Sequence, residues 1–191
     1  DGYLWVGTQE GLARFDGDRC TTFSRRNVPV ITSNDVHTVR VAKNGVLWIG
    51  TAGGLLKYKD GRFEVVHTGS DSASTDNVWD IAEDHDGALW VGTSNGLIRI
   101  ANGEPVRFDK DNGLPSQLVW SLLVDHDGSL IVGTGSGVCR IEGDLCKALG
   151  AGSAGARTVV NVMLRGRAGR LWFGTDLGLA RLDRGTWRLF T

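Results

Sequence analysis

The sequence predicts an all-β fold, a β-propeller built from four-stranded antiparallel blades, and three observations carry that reading. The first is a motif that returns at a fixed step. It reads Leu4-Trp5-Val6-Gly7-Thr8, Leu47-Trp48-Ile49-Gly50-Thr51 and Leu89-Trp90-Val91-Gly92-Thr93, then Leu130-Ile131-Val132-Gly133-Thr134 and Leu171-Trp172-Phe173-Gly174-Thr175. Successive copies lie 41 to 43 residues apart, a period that marks one supersecondary unit repeated as an array. The second is short Val-led runs ended by Asn44-Gly45, Asp86-Gly87, Asp127-Gly128 and Ala168-Gly169. Turns of this kind need a positive φ that glycine tolerates, and they join antiparallel strands. The third is composition: 28 Gly against 3 Pro, 41% hydrophobic residues and 7 Trp suit many tight turns around a packed core.

Each unit reads in the same order. A first strand begins at Val36, Val78, Val119 or Val160 and runs into the Gly turn. The motif itself is the second strand. A glycine three residues after the motif threonine (Gly11, Gly54, Gly96, Gly137, Gly178) turns the chain into a third strand with a basic residue at Arg14, Lys57, Arg99, Arg140 or Arg181. A further turn such as Asp60-Gly61 leads to a fourth strand. The blade segments are expected at roughly 1–24, 35–67, 77–109, 118–149 and 159–191. The first lacks its first strand, so the sequence reads as four whole repeats and one incomplete one. That phase suggests part of a longer protein, or a five-bladed ring with one short blade. Open strand edges invite pairing, so self-association or docking of the remainder of the propeller is expected.

Several function classes are disfavoured. A formal net charge of −1 gives no basic footprint for nucleic acid. No apolar run approaches a membrane span, so any link to a membrane runs through a parent receptor. The sequence carries no nucleophile elbow, no zinc-protease helix motif and no phosphate loop, and so names no catalytic residue, metal ligand or cofactor. Asp84-His85-Asp86-Gly87 and Asp125-His126-Asp127-Gly128 begin like a calcium loop, but the later ligand positions are missing; a turn capped by Asp is the better reading.

The recurrent Trp5, Trp48, Trp90 and Trp172 read as side chains packing one blade on the next, and the Gly-Thr pair as a turn and hydrogen-bonding device. Cys20 and Cys146 share one position of the fourth strand, where other repeats place Phe63, Pro105 and Trp187. Cys139 matches Ala13, Leu56, Ile98 and Ala180. All three read as buried thiols. A Cys139–Cys146 bridge across the hairpin is the alternative in an oxidising compartment, although the two positions are not directly opposite.

Candidate recognition residues lie where the copies disagree. Just after the leading Val, the first strand carries His37, Trp79, Trp120 and Asn161. In a propeller this strand lines the central channel, and the loops feeding it supply Asp35, Asn77, Gln117 and Arg157. Aromatic faces with amide and carboxylate neighbours suit a sugar, whose ring stacks and whose hydroxyls take hydrogen bonds. The alternative is that Trp79 and Trp120 plug the channel.

The segment Asn112-Gly113-Leu114-Pro115-Ser116-Gln117, followed by Val119, Asp125-His126-Asp127-Gly128 and the Gly-Thr core, resembles the two-component regulator propeller repeat. The resemblance spans the whole chain. Departures are Ile131 in the Trp position, Gly166 where Asp84 and Asp125 stand, and a Gly-Leu-Pro-Ser linker in one repeat alone. It implies a periplasmic sensor module of a bacterial membrane receptor, with a histidine kinase, hybrid kinase or diguanylate cyclase as output and an oligosaccharide or other small ligand as input. A protein-interaction or dimerisation scaffold and an enzyme similar to the propeller lyases are the competing readings.

Overall fold

The computed structural model describes residues 2–66, 76–150, 158–166 and 169–190. All of its regular structure is β-strand, in five antiparallel sheets that follow one another along the chain. No helix among the described residues is long and apolar enough to cross a membrane. The first sheet has three strands, β1 (Leu4–Thr8), β2 (Gly11–Phe15) and β3 (Cys20–Phe23). The second has four: β4 (Val36–Val41), β5 (Leu47–Thr51), β6 (Gly54–Lys59) and β7 (Arg62–Val66). The third holds β8 (Val78–Glu83), β9 (Leu89–Thr93), β10 (Gly96–Ala101) and β11 (Glu104–Phe108). The fourth holds β12 (Val119–Val124), β13 (Leu130–Thr134), β14 (Gly137–Glu142) and β15 (Leu145–Ala148). The fifth holds β16 (Val160–Arg165), β17 (Leu171–Thr175), β18 (Gly178–Asp183) and β19 (Thr186–Phe190). These are the blades the repeat predicts, each strand bonded to its neighbour in sequence. The chain divides into two compact units, Asp1–Ile81 and Ala82–Thr191.

The two halves of the Gly-Thr pair have different tasks. Each threonine hydroxyl donates to the carbonyl three residues on: Thr51 Oγ1 to Gly54 O at 3.0 Å, and Thr93 to Gly96 and Thr134 to Gly137 at 2.8 Å. The same oxygen accepts a backbone N–H two residues on, closing the turn between second and third strands. The glycine is a blade-to-blade contact. A Cβ on Gly7 would lie 2.7 Å from Cγ1 of Val36, on Gly50 2.6 Å from that of Val78, on Gly92 2.8 Å from that of Val119 and on Gly133 2.9 Å from that of Val160. Each is the leading Val of the following blade. A missing side chain lets the next first strand approach, and Val36, Val78, Val119 and Val160 are all buried there.

The cores lie on these seams. In the first unit Leu12, Val36, Leu47, Ile49 and Leu56 form a buried cluster, flanked by Trp5, Phe23, Tyr58 and Phe63. In the second, one cluster gathers Trp90, Leu97, Phe108, Val119, Val132 and Cys139, and another Ile131, Val138, Val160, Met163 and Phe173. The motif tryptophans are thus packing residues. Trp90 is buried and donates Nε1–H to Asp84 Oδ2 at 2.8 Å, which explains the Asp of the preceding turn. Where Ile131 replaces Trp, the equivalent Asp125 takes Arg140 and Arg165 instead. Where Gly166 replaces Asp, a Cβ would meet Trp172 Nε1 at 3.0 Å.

The Asp turns are capped as expected. Asp84 Oδ1 accepts from the backbone of Asp86 and Ala88. Asp127 Oδ1 accepts from both the amide and the hydroxyl of Ser129, and Arg140 lies against its other oxygen. These Ser129 bonds, with help from Arg140, hold the Asp127 carboxyl down to about 2.

The cysteines depart from the expectation of three buried thiols. Cys139 and Cys146 form a disulfide with Cα atoms 5.5 Å apart. Their register is diagonal: Cys139 faces Ala148 and Cys146 faces Ile141. A diagonal pair on one face of a hairpin still falls within disulfide reach, although it is not opposite. Cys20 does occupy the register slot of Cys146, pairing with Phe15 as Cys146 pairs with Ile141, yet it is exposed. Its blade shows that whole face to solvent: Leu4 is 60% and Val6 43% exposed, whereas Leu47 and Ile49 in the next blade are 3% and 1%.

Candidate functional site

The first strands share an irregularity that places the variable residues. The ladder between β4 and β5 shifts register between Val36 and Thr38, that between β12 and β13 between Val119 and Ser121, and that between β16 and β17 between Val160 and Val162. The residue skipped in each case is His37, Trp120 and Asn161. A bulge frees one residue from the ladder and re-aims its side chain, so these positions escape the packing that makes the rest of the strand alike. Trp79 holds the same place in β8. The leading Val before each is buried, while His37, Trp79 and Trp120 are half-buried and Asn161 is exposed.

The leading Val carbonyl of a blade also meets a side chain of the preceding blade in two cases. His37 Nδ1 lies 3.1 Å from Val78 O, and Ser121 Oγ donates to Val160 O at 3.2 Å. The same inner strands are therefore tied by side chains as well as by the Gly–Val contact.

In the first unit three of the candidate residues meet. The His37 ring stacks on the Trp79 indole at 4.3 Å between centroids, with 8° between planes. Its Nε2 lies 3.3 Å from Asp35 Oδ2, so both ring nitrogens face oxygen acceptors. Asp35 is held by its own backbone, whose carbonyl accepts from Ala52 N at 3.0 Å, while its carboxylate stays half-exposed. The result is a fixed carboxylate–imidazole–indole row. One indole face of Trp79 is covered by His37 rather than offered to a ligand. Asn77, two residues before Trp79, is half-buried.

In the second unit Trp120 and Asn161 occupy equivalent bulges of consecutive blades. Gln117 is exposed, and its carbonyl accepts from Gly96 N at 2.6 Å, which fixes the loop entering β12. Before β16 the Asp176 carboxylate takes the Thr158 hydroxyl and the Val159 amide. Arg157 lies outside the described residues. Sequence reasoning found these positions through their variability; the bulge that causes it has no residue signature in the strand.

Residues 31–53, 72–95 and 113–136 match the model of the two component regulator propeller. Two of these stretches, 31–53 and 113–136, contain the bulged pairs β4–β5 and β12–β13. Three stretches of this chain thus resemble two-component regulator propeller repeats. No curated protein matches its sequence. Among solved structures it is similar to the extracellular domain of a Bacteroides thetaiotaomicron protein described as the hybrid two component system BT3049. The TM-score is 0.82 at 26% identity, over 98% of this chain and 28% of that one. It is also similar to the extracellular domain of BT4673 of the same organism, at TM-score 0.81 and 22% identity, over 94% of this chain and 25% of that one. This chain thus spans about a quarter of the length of these two structures. Virginiamycin B lyase of Staphylococcus aureus superposes at TM-score 0.74 and 17% identity, over 100% of this chain and 67% of that one, a likeness of fold.

Proposed function

We propose that this regulator-propeller segment is part of the extracytoplasmic, ligand-sensing and non-catalytic module of a bacterial membrane signalling receptor. The observation that carries the reading is the likeness over 98% of the chain, at 26% identity, to the extracellular domain described as belonging to a hybrid two component system. The Cys139–Cys146 bridge supports it, since disulfides persist in oxidising compartments outside the cytoplasm. In the first unit binding is assigned to His37 and Trp79, with Asp35 and Asn77 before them; in the second it is assigned to Trp120 and Asn161, with Gln117 before β12, and Arg157 is a further candidate by sequence. The copies disagree at these places, and in a repeat array the non-equivalent positions are free for recognition. Aromatic side chains beside a carboxylate and amides fit an oligosaccharide.

The test is equilibrium titration of the protein with a panel of neutral and acidic oligosaccharides, read by tryptophan fluorescence. Saturable binding to at least one sugar, lost in a folded Trp120→Ala variant and weakened in Trp79→Ala, supports the reading. Unchanged affinity in both folded variants refutes it.

A further inference from the structure

The fifth blade gathers charge that the repeat does not require. Arg170, Arg181, Arg184 and Arg188 line an open concavity of about 540 Å³, together with Asp183 and Thr186. Asp183 is the one acid in the lining, and Arg170 Nε takes it at 3.1 Å. Arg181, Arg184 and Arg188 have no ion-pair partner among the described residues.

The other blades show what is ordinary at these positions. Arg181 lies directly across the ladder from Arg188. The same register pairs Arg14 with Thr21, Lys57 with Glu64 and Arg99 with Val106. Lys57 and Glu64 form an ion pair at 2.8 Å. The fourth blade also sets two cations opposite one another, Arg140 and Lys147, but neutralises both: Arg140 with Asp125 and Asp127, Lys147 with Glu142. Like charges directly opposite on a sheet repel. In the fifth blade the repulsion stands uncompensated, and a third arginine, Arg184, adds to it from the β18–β19 turn, at φ 48°.

One of these cations is also preorganised. The Arg181 guanidinium carbon sits 5.5 Å from the Trp172 ring centroid and 5.7 Å from that of Phe190. Its Nε is buried and meets no acceptor among the described residues. Two rings therefore pack on the guanidinium of Arg181, which lines the concavity. A fixed planar fork flanked by further arginines is the arrangement that binds carboxylate, sulfate or phosphate, because it offers paired donors and net positive charge together.

We propose that this concavity is a binding site for an oxyanion group, with Arg181 as the fixed donor and Arg184 and Arg188 closing on the anion. The concavity exceeds the size of one small anion, so a ligand bearing more than one such group fits it. The probe is sodium sulfate, titrated against sodium chloride at matched ionic strength, with arginine Nε–Hε resonances followed by NMR. The site predicts a saturable shift of the Arg181 resonance with sulfate and not with chloride. Parallel titrations with phosphate and acetate tell which oxyanion it prefers. Arg188→Gln or Arg184→Gln should weaken sulfate binding by about tenfold, as loss of one charge-assisted contact does. Arg62→Gln, in the second blade, should leave it unchanged. All these side chains are at the surface, and circular dichroism checks that the variants fold. A linear response, an equal response to chloride, or unchanged sulfate affinity in both Arg184→Gln and Arg188→Gln overturns the proposal.

Discussion

Replacing Gly92 by alanine puts a methyl carbon 2.8 Å from Cγ1 of Val119, 3.5 Å from its Cβ and 3.3 Å from its carbonyl oxygen. Optimal carbon–carbon separation is about 3.5–4.0 Å, so Val119 must recede by roughly 0.7 Å or more. It has nowhere open to go, being 0% exposed. Overpacking of this kind costs about 1–3 kcal/mol. Val119→Ala deletes the two methyl groups and should itself cost about 2 kcal/mol through lost burial and the cavity left behind. The pair should not add. With Val119 shortened, the nearest remaining side-chain contact of the new methyl is the one at 3.5 Å, which is ordinary packing. The double variant should therefore be more stable than the sum of the single losses by about 1–2 kcal/mol. Urea denaturation of the four proteins, compared at equal m-values, gives the coupling. Gly174→Ala is the internal control. Among the described residues its only neighbour closer than 3.4 Å is Cγ1 of Val162, which is 59% exposed and free to turn away. A neutral Gly92→Ala, or additivity within about 0.5 kcal/mol, refutes the claim that this glycine exists to admit the next blade.

Reduction of Cys139–Cys146, which closes a loop of sequence separation 7, should destabilise the protein by about 2.5 kcal/mol, measured as a shift in unfolding midpoint with and without a thiol reductant; no shift would mean the bridge is absent. Asp127, whose carboxyl is lowered to about 2, should contribute stability that is complete above about pH 4 and is lost as pH falls from there towards 2. Asp127→Asn should flatten that part of the pH profile, and an unaltered acid limb contradicts the assignment. Val162, Leu164 and Leu179 are 59%, 65% and 45% exposed on the fifth blade, a patch that favours association. Sedimentation should show concentration-dependent association that Leu164→Asp reduces; a variant that associates as strongly as the parent excludes this face.

The blade order was legible because each strand carries its own signal. Asn44-Gly45 and Asp86-Gly87 mark hairpins, and the alternating Leu-Trp-Val-Gly-Thr run marks a strand with one face inward. Other features depend on what stands beside a residue in space. Gly50 and Gly92 read as turn residues in sequence, and only the approach of Val78 and Val119 reveals their task. Cys20 and Cys146 share a register, yet one is exposed and one bonded, because register says nothing about what covers a face. The disulfide escapes a rule of direct opposition because the hairpin joins its cysteines diagonally. At the candidate site, the variability of His37, Trp120 and Asn161 was visible. The bulge that re-aims them was not, since a bulge arises from pairing between two strands. The stack of His37 on Trp79 joins residues 42 positions apart and likewise needed the fold.

The constant motif builds the blades, and the proposed binding falls to the variable first-strand residues. The most direct test is the affinity of the protein for an oligosaccharide found by titration, measured again in Trp120→Ala and in Trp90→Phe, both confirmed as folded. The account predicts that binding is lost with Trp120→Ala and kept with Trp90→Phe. Binding that survives Trp120→Ala, or that disappears with Trp90→Phe alone, contradicts it.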